Sequence, residues 1–455
     1  MSKAIWAERA LTADGWRRNT LVSLDDAGRI RSVEEDATPS GMRVGVLLPA
    51  PANLHSHAFQ RAMAGMTEGR GPSASDSFWT WRDLMYRFVG ALEPDDVEAI
   101  AVWVQVEMLE AGYASVGEFH YLHHQPNGDP YDDVAELSSR IAAAAEQTGI
   151  GLTLLPVLYE RGGCDGRALA GGQLRFGNDA DRFEILCEGA NRACADLPQD
   201  TVVGVAPHSL RAVSRSALTA ALSIAPTSPV HLHIAEQTAE VEEVEAAYGA
   251  RPVAWLLNET PVDARWCLIH ATHMSAEETV GVARSGAVAG LCPITESNLG
   301  DGIFDGVRFL THGGRFGVGS DSNVRISLCE ELRTLEYSQR LRDRSRAALA
   351  TADQSSGRIL FEGAAGGGAQ ALGRDAGEIA PGKLADLVAL DAQALDLIGL
   401  EGDALLDAWI FARDDSLVRD VWSAGRHVVT DGRHFARDRA LKRFRQTLRS
   451  LRERV

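Results

Sequence analysis

Lysine is nearly absent from this chain: Lys3, Lys383 and Lys442 are its whole complement in 455 residues. Any anion pocket in the middle of the sequence must therefore be built from arginine, whose planar fork suits two-pronged contacts with a carboxylate. Paired cysteines are missing too. Cys164, Cys187, Cys194, Cys267, Cys292 and Cys329 form no CxxC spacing, which argues against a thiolate zinc finger or a disulfide framework; Cys267 and Cys292 sit in apolar runs and read as small buried hydrophobes. No apolar run reaches the roughly 18 residues of a membrane span, and Met1-Ser-Lys-Ala-Ile-Trp6 lacks a secretory apolar core, so a cytoplasmic location is expected. Positive charge is in deficit. Lys and Arg total 45 against 63 Asp and Glu, a net of −18, which disfavours nucleic acid and anionic membranes as partners.

With 45% apolar and 24% charged residues the composition is that of a globular protein, long enough for an α/β barrel of about 250 residues plus an accessory domain. Short strands open the chain, Ala4-Ile-Trp-Ala7, Asn19 to Leu24 and Ile30 to Val33, with Asp-Gly and Asp-Asp-Ala-Gly turns between them. A matching set, Ala385 to Leu390, Val418 to Gly425 and His427 to Gly432, lies near the other end. Together they predict a small β-sandwich domain made of residues 1–48 and 373–435, with a barrel over 49–372 inserted between and a charge-rich helix over 436–455.

Inside the insert, strands alternate with helices, the pattern of βαβ units and a parallel sheet. An apolar run, Val44 to Ala50, reads as the buried strand that leads to His55 and His57. The following strands are Ala114 to Tyr121, Gly151 to Leu158, Val202 to Ser209, Val230 to Ala235, Trp266 to Ala271, Ala287 to Pro293 and Arg315 to Asp321. Helices are expected over Pro94 to Ala111, whose first turn is acidic as the helix dipole favours, and over Tyr131 to Gln147, Asp181 to Cys194, Ser214 to Ile224, Ala239 to Tyr248 and Ser275 to Ser285. Eight strands with helices between them is the count of a (β/α)8 TIM barrel.

Such barrels place their chemistry at the C-terminal strand ends, and those ends are where histidine and aspartate collect. His55 and His57 are two residues apart at the end of the first strand, so both rings can face one metal ion. Strand five ends His231-Leu-His233-Ile-Ala-Glu236, strand six Leu268-Ile-His270-Ala-Thr-His273, and strand eight Gly317-Val-Gly-Ser-Asp321-Ser-Asn323. Taken singly, an HxH pair is often chance, His270 could be a core histidine, and Asp321 could cap a helix. Four strands of one barrel ending this way point to a metal centre.

The Asn53-Leu-His-Ser-His57 start, the strand-five His with a Glu three residues on, the strand-six His, the strand-eight Ser-Asp-Ser and the segment Gly377 to Leu390 resemble the amidohydrolase superfamily over nearly the whole chain. That resemblance implies His55, His57, His233 and Asp321 as ligands of one divalent ion, zinc foremost and ferrous iron the alternative. Two-metal members usually bridge their ions with a modified lysine on strand four; Val202 to Ser209 contains none, which excludes that arrangement. As in mononuclear deaminases, a water acidified by the metal would be the nucleophile, Glu236 would shuttle its proton to the leaving nitrogen, and His270 would orient it beside Asp321. His231, one layer below His233, reads as core.

A narrower resemblance, carried by Asn53 to Gly65, Ser77 to Met85, Glu118-Phe-His-Tyr121-Leu-His-His124 and Ala206-Pro-His208-Ser-Leu-Arg211, is to the formimidoylglutamate deiminase family of histidine degradation. It implies hydrolysis of N-formimidoyl-L-glutamate to N-formyl-L-glutamate and ammonia. Arg82 and Arg211 would hold the two substrate carboxylates, with Gln60, Tyr121 and His208 completing the hydrogen bonds and the aromatic segment around Arg82 covering the barrel mouth. Arg61 and Arg325 lie near the metal-bearing loops and stay open as further contacts. The alternatives are a nucleobase deaminase of guanine type, which would want an aromatic slot in place of two arginines, and a non-catalytic assembly protein that has lost its ligands. A homodimer is expected from the superfamily.

Overall fold

The computed structural model describes residues 4–69 and 78–455. Lys3 and Ser77 lie outside the described residues. Strands from both termini join in one continuous eight-stranded sheet, the accessory β-domain expected from the two ends of the chain. Its N-terminal members are β1 (Ala4–Thr12), β2 (Gly15–Leu24), β3 (Ile30–Glu34) and β4 (Met42–Pro49). Between β4 and the C-terminal strands come the barrel strands β5 (Ala52–Ser56), β6 (Ser115–His120), β7 (Gly151–Leu158), β8 (Val202–Val203), β9 (Ala206–Pro207), β10 (Val230–Ile234), β11 (Trp266–His270), β12 (Val288–Leu291) and β13 (Arg315–Val318). The sheet is completed by β14 (Leu387–Leu390), β15 (Val418–Ser423), β16 (Arg426–Thr430) and β17 (Arg433–His434), in the order β17-β16-β15-β14-β4-β1-β2-β3.

The apolar run Val44 to Ala50 is therefore corrected: its strand belongs to the terminal sheet, pairing parallel to β1 and antiparallel to β14. The barrel begins one strand later, at Ala52. Periodicity could not separate the two, because a continuous apolar stretch looks alike in either setting. Proline at 49 and 51 marks the break in hindsight, since neither can donate to a ladder.

Eight staves form the barrel, with β8 and β9 as two short pieces of the fourth, paired to β7 at Val203 and again at Leu158. Parallel ladders join β5-β6-β7-β8 and β10-β11-β12-β13. Single bridges close the ring, Val205 and Ser209 onto β10 and Ser56 onto Asp321. Every residue of β5, β6, β7 and β10 to β12 is buried, as expected of parallel strands covered by helices. Leu54, Cys267, Ile269, Val288 and Cys292 pack together within the ring.

Helix Ser356–Ala371 lies against β5 and β13. It carries glycines that would weaken an exposed helix, and the reason is close approach: a Cβ on Gly367 would fall 1.8 Å from the Phe316 carbonyl oxygen. The C-terminal helix Arg437–Arg454 packs on helix Pro94–Glu110, with Trp103 and Phe444 stacked at 5.8 Å and Arg443 paired to Glu98 at 2.6 Å. No helix among the described residues is long and apolar enough to cross a membrane.

Candidate active site

At the C-terminal rim, β5 and the end of β13 are stitched together by polar side chains. Asn53 donates to the Ser320 hydroxyl at 2.7 Å and accepts the Ser320 N–H at 3.1 Å. The hydroxyl passes the chain on to Asn323 at 2.6 Å, and Asn323 donates to Ser56 at 3.1 Å. Backbone bonds complete the seam: the Asp321 N–H donates to the His55 carbonyl and the His57 N–H to the Asp321 carbonyl, both at 2.9 Å. Asp321 and Asn323 are held at φ 46° and 54°. Non-glycine residues in that region cost roughly 1–3 kcal/mol each and persist only where the surroundings over-determine them. Gly319 permits the approach, since a Cβ there would meet the His55 backbone at 2.7 Å.

This seam brings His55, His57 and Asp321 to one point, and β10 adds His233. His55 Nε2 lies 3.0 Å from His233 Nε2 and 3.2 Å from Asp321 Oδ1, and His57 Nε2 lies 3.1 Å from the same oxygen. One ligand atom from each of the four falls within 4.8 Å of all the others. The outer nitrogens are turned to carbonyls, His57 Nδ1 to Phe119 at 3.0 Å and His233 Nδ1 to His208 at 3.2 Å, so those rings donate outward and keep an Nε2 lone pair for the centre. Burial pushes His55 down to about 3 and His233 well below the usual imidazole range, which leaves both neutral. Asp321 stays ionised: burial alone would raise it, but the adjacent His55 and His57 rings hold it well below the carboxylate range. Three imidazoles and one carboxylate converging on a point fit a single divalent metal ion.

Above that point stand Glu236 and His270. The chain leaves β10 through Ala235 at φ 51°, and the Ala235 and Glu236 N–H groups both donate to the Glu240 carboxylate, at 3.1 and 3.0 Å. This turn aims Glu236 Oε1 at His270 Nε2, 3.7 Å away. His270 itself sits at φ 67° and donates from Nδ1 to Glu296 Oε1 at 3.3 Å. Burial would lower its pKa, yet the neighbouring Glu236, Glu296 and Asp321 carboxylates raise it to about 10. Burial, reinforced by Asp321 and Glu240, raises Glu236 above the ordinary carboxylate range.

A cavity opens over these groups. Gln60, Arg82, Tyr121, His208 and Arg211 all line it together with His57, His233 and Asp321, so the side chains anticipated for substrate share one space. Gln60 donates to the Tyr121 hydroxyl at 2.6 Å, which leaves its own carbonyl oxygen without a partner. Arg82 projects from helix Phe78–Ala91, its guanidinium 5.5 Å from the Tyr86 ring centre. The Nε of Arg211 is buried with no hydrogen-bond partner.

Arg61 and Arg325 do not reach the cavity. Arg61 is bound to Glu107 and to the carbonyls of Asn323 and Val324, and exposed Arg325 pairs with Glu330 at 2.5 Å. His231 is a core residue, with Nε2 on the Ala371 carbonyl at 2.8 Å.

Trp81, from the aromatic segment expected over the barrel mouth, lines the wall, and five further wall residues were not anticipated: Met85, Tyr86, Tyr159, Phe176 and Leu299. Two carried a usable signal. Tyr86 lies one helical turn past Arg82 and so shares its face, and Tyr159 directly follows β7, at the rim where site residues collect. Glu296 was also missed as the partner of His270, because nothing local marks it.

A model of the amidohydrolase family matches residues 46–428, and one for "Formimidoylglutamate deiminase HutF, N-terminal domain" matches residues 2–42. Formimidoylglutamate deiminase of Pseudomonas aeruginosa is 50% identical over 452 residues, covering 98% of this chain and 99% of that protein. A 5-methylthioadenosine/S-adenosylhomocysteine deaminase of Haloarcula marismortui is 26% identical and covers 94% and 90% respectively. The crystal structure of an amidohydrolase from Brucella melitensis superposes with a TM-score of 0.95 at 50% identity, covering 99% of this chain and all of its own. The chain belongs to the amidohydrolase family.

Proposed function

We propose that this chain is a metal-dependent formimidoylglutamate deiminase, hydrolysing N-formimidoyl-L-glutamate to N-formyl-L-glutamate and ammonia. The observation that carries the reading is one cavity with a metal-ligand cluster at its floor and two arginines, Arg82 and Arg211, in its wall. A guanidinium nitrogen buried without a partner, as Arg211 Nε is, costs free energy until an anion reaches it. A dianionic tail supplies that anion. A purine would leave the buried Arg211 Nε unanswered, which disfavours the nucleobase reading of the more distant deaminase relatives.

His55, His57, His233 and Asp321 would hold the ion, for which we take zinc; a divalent ion there would supply water acidified toward a pKa of about 7. The remaining chemistry belongs to the chain. Arg82 and Arg211 fix the two carboxylates, and Gln60, Tyr121 and His208 orient the chain between them. Glu236 accepts a proton from the attacking water and delivers it to the departing nitrogen, a role that its raised pKa suits by making it a stronger base than an ordinary carboxylate. His270, kept charged by the carboxylates around it, stabilises the negative charge that develops as the formimidoyl carbon is attacked. Glu296 holds the ring in place.

The long-range field of a net −18 chain repels a dianion, so the arginines must act at short range. The family resemblance supports a cytoplasmic homodimer, which fractionation and sedimentation test. Turnover is tested by following ammonia release from formimidoyl derivatives of glutamate and aspartate and from guanine. Glutamate should win by a wide margin; equal rates on the aspartate compound would misplace the arginine clamp, and preference for guanine would refute the assignment.

A further inference from the structure

Cys292 follows β12 and is fully buried, where the sequence suggested only a small hydrophobe. Its Sγ, a ring nitrogen of His270 and a carboxylate oxygen of Asp321 nevertheless all lie within 4.8 Å of one another. We infer that His270, Cys292 and Asp321 form a second, inhibitory cation subsite, which shares Asp321 with the resident metal and takes soft divalent ions such as cadmium. This rests on the proposed metal centre and on the role given to His270.

Geometry and charge both favour it. Glu296 Oε1 accepts the Cys292 N–H at 2.9 Å and faces His270 Nδ1 at 3.3 Å, so one carboxylate fixes the backbone of one ligand and the ring of the other. Such preorganisation removes the ordering cost that a flexible thiol would bring. Around the pair, Glu236, Glu296, Asp301 and Asp321 crowd together. Asp301 Oδ2 is buried without a hydrogen-bond partner, and burial and the neighbouring Glu236 push that carboxyl up to about 8. A cluster of this kind is short of positive charge. Sulfur selects the ion: thiolate with imidazole and one carboxylate prefers cadmium or zinc over magnesium or calcium. As the ion enters, the Cys292 thiol proton and the second proton of the His270 ring leave to solvent. His270 and Asp321, once shared with it, no longer serve the reaction, so loading inhibits.

The test begins with protein carrying one resident ion by metal analysis, titrated with cadmium chloride. The expected result is a second bound equivalent, an ultraviolet thiolate-to-cadmium charge-transfer band, and loss of most turnover as that equivalent binds. Cys292→Ala with one resident ion should turn over formimidoylglutamate like the unaltered chain, show no such band and resist cadmium. X-ray absorption of the unaltered protein needs no variant and should find sulfur in the cadmium shell. A shell of nitrogen and oxygen alone, or equal inhibition of Cys292→Ala, overturns the subsite. Protein that retains no ion at all would instead refute the metal centre beneath it, so the two failures are distinguishable.

Discussion

Glu236 and Arg211 face the same cavity, and the roles proposed for them separate in kinetics. Replacing Glu236 by glutamine keeps its shape and removes its proton traffic, so turnover should fall about 10²–10⁴-fold while the Michaelis constant changes little. Steady-state kinetics at saturating substrate check this; a variant with near-normal turnover would remove Glu236 from the mechanism. Arg211→Met removes a charged hydrogen-bond donor, worth about 1.5–3 kcal/mol, or roughly 10- to 100-fold. If Arg211 binds the tail equally in ground and transition states, that loss appears in KM with turnover preserved. A fall in turnover at constant KM would mean that its contact tightens only as the reaction proceeds.

At the scale of elements, the glycines of helix Ser356–Ala371 decide how near that helix comes to the barrel. Gly367→Ala gains up to about 1 kcal/mol of helix propensity. Against this, its Cβ would overlap the Phe316 carbonyl at 1.8 Å, and backbone cannot yield as a side chain does. Overpacking of this kind costs about 1–3 kcal/mol, so the variant should be net destabilised in chemical denaturation despite the better helix former. Helix Phe78–Ala91, which carries Arg82, is fixed differently. Fully buried Arg175 donates to the Val89 and Leu92 carbonyls at that helix end and to the His124 carbonyl after β6, joining the cavity wall to the barrel without a carboxylate.

Across the whole molecule, barrel and terminal sheet meet at a buried ionic cluster. Arg374, just past the glycine-rich helix, donates to Asp386 at 3.0–3.1 Å and to Asp200 at 3.1 Å, and Arg426 of β16 reaches Asp200 at 2.7 Å. Arg374→Met strands Asp386 without its guanidinium partner and should cost about 3–5 kcal/mol in equilibrium unfolding. The pH dependence has two parts. Burial would raise Asp200, but Arg426 and Arg374 hold it below the carboxylate range, so its contribution is present above the unfolded value near 4 and is lost as pH falls through the lowered one. Histidine acts earlier. Burial lowers His120 to about 3 and His231 to about 4, so between the unfolded value near 6.5 and those values the unfolded chain binds more protons and stability declines with acid. Melting temperature should therefore begin to drop below about pH 6.5, well before Asp200 titrates. His231→Gln should flatten that slope; an unchanged slope would place the titrating groups elsewhere.

Much of this was legible in order along the chain. His55 and His57 share a strand end, His233 and Glu236 a single turn, and Gly377 to Leu390 a recognisable segment, because each relation spans a few covalently linked residues. Strand and helix periodicity likewise follows from local geometry, which is why eight staves could be counted although the first was placed one strand too early. Relations between distant residues were decided only by the closed barrel. Glu296 meets His270 across 26 residues, Cys292 comes within 4.8 Å of both His270 and Asp321, and Arg61 is drawn away to Glu107. Hydrophobic pattern specifies which face of an element is buried, and it carries no information about which remote side chain will be packed against that face. Only when the strands close into a ring do the walls of the cavity acquire their neighbours.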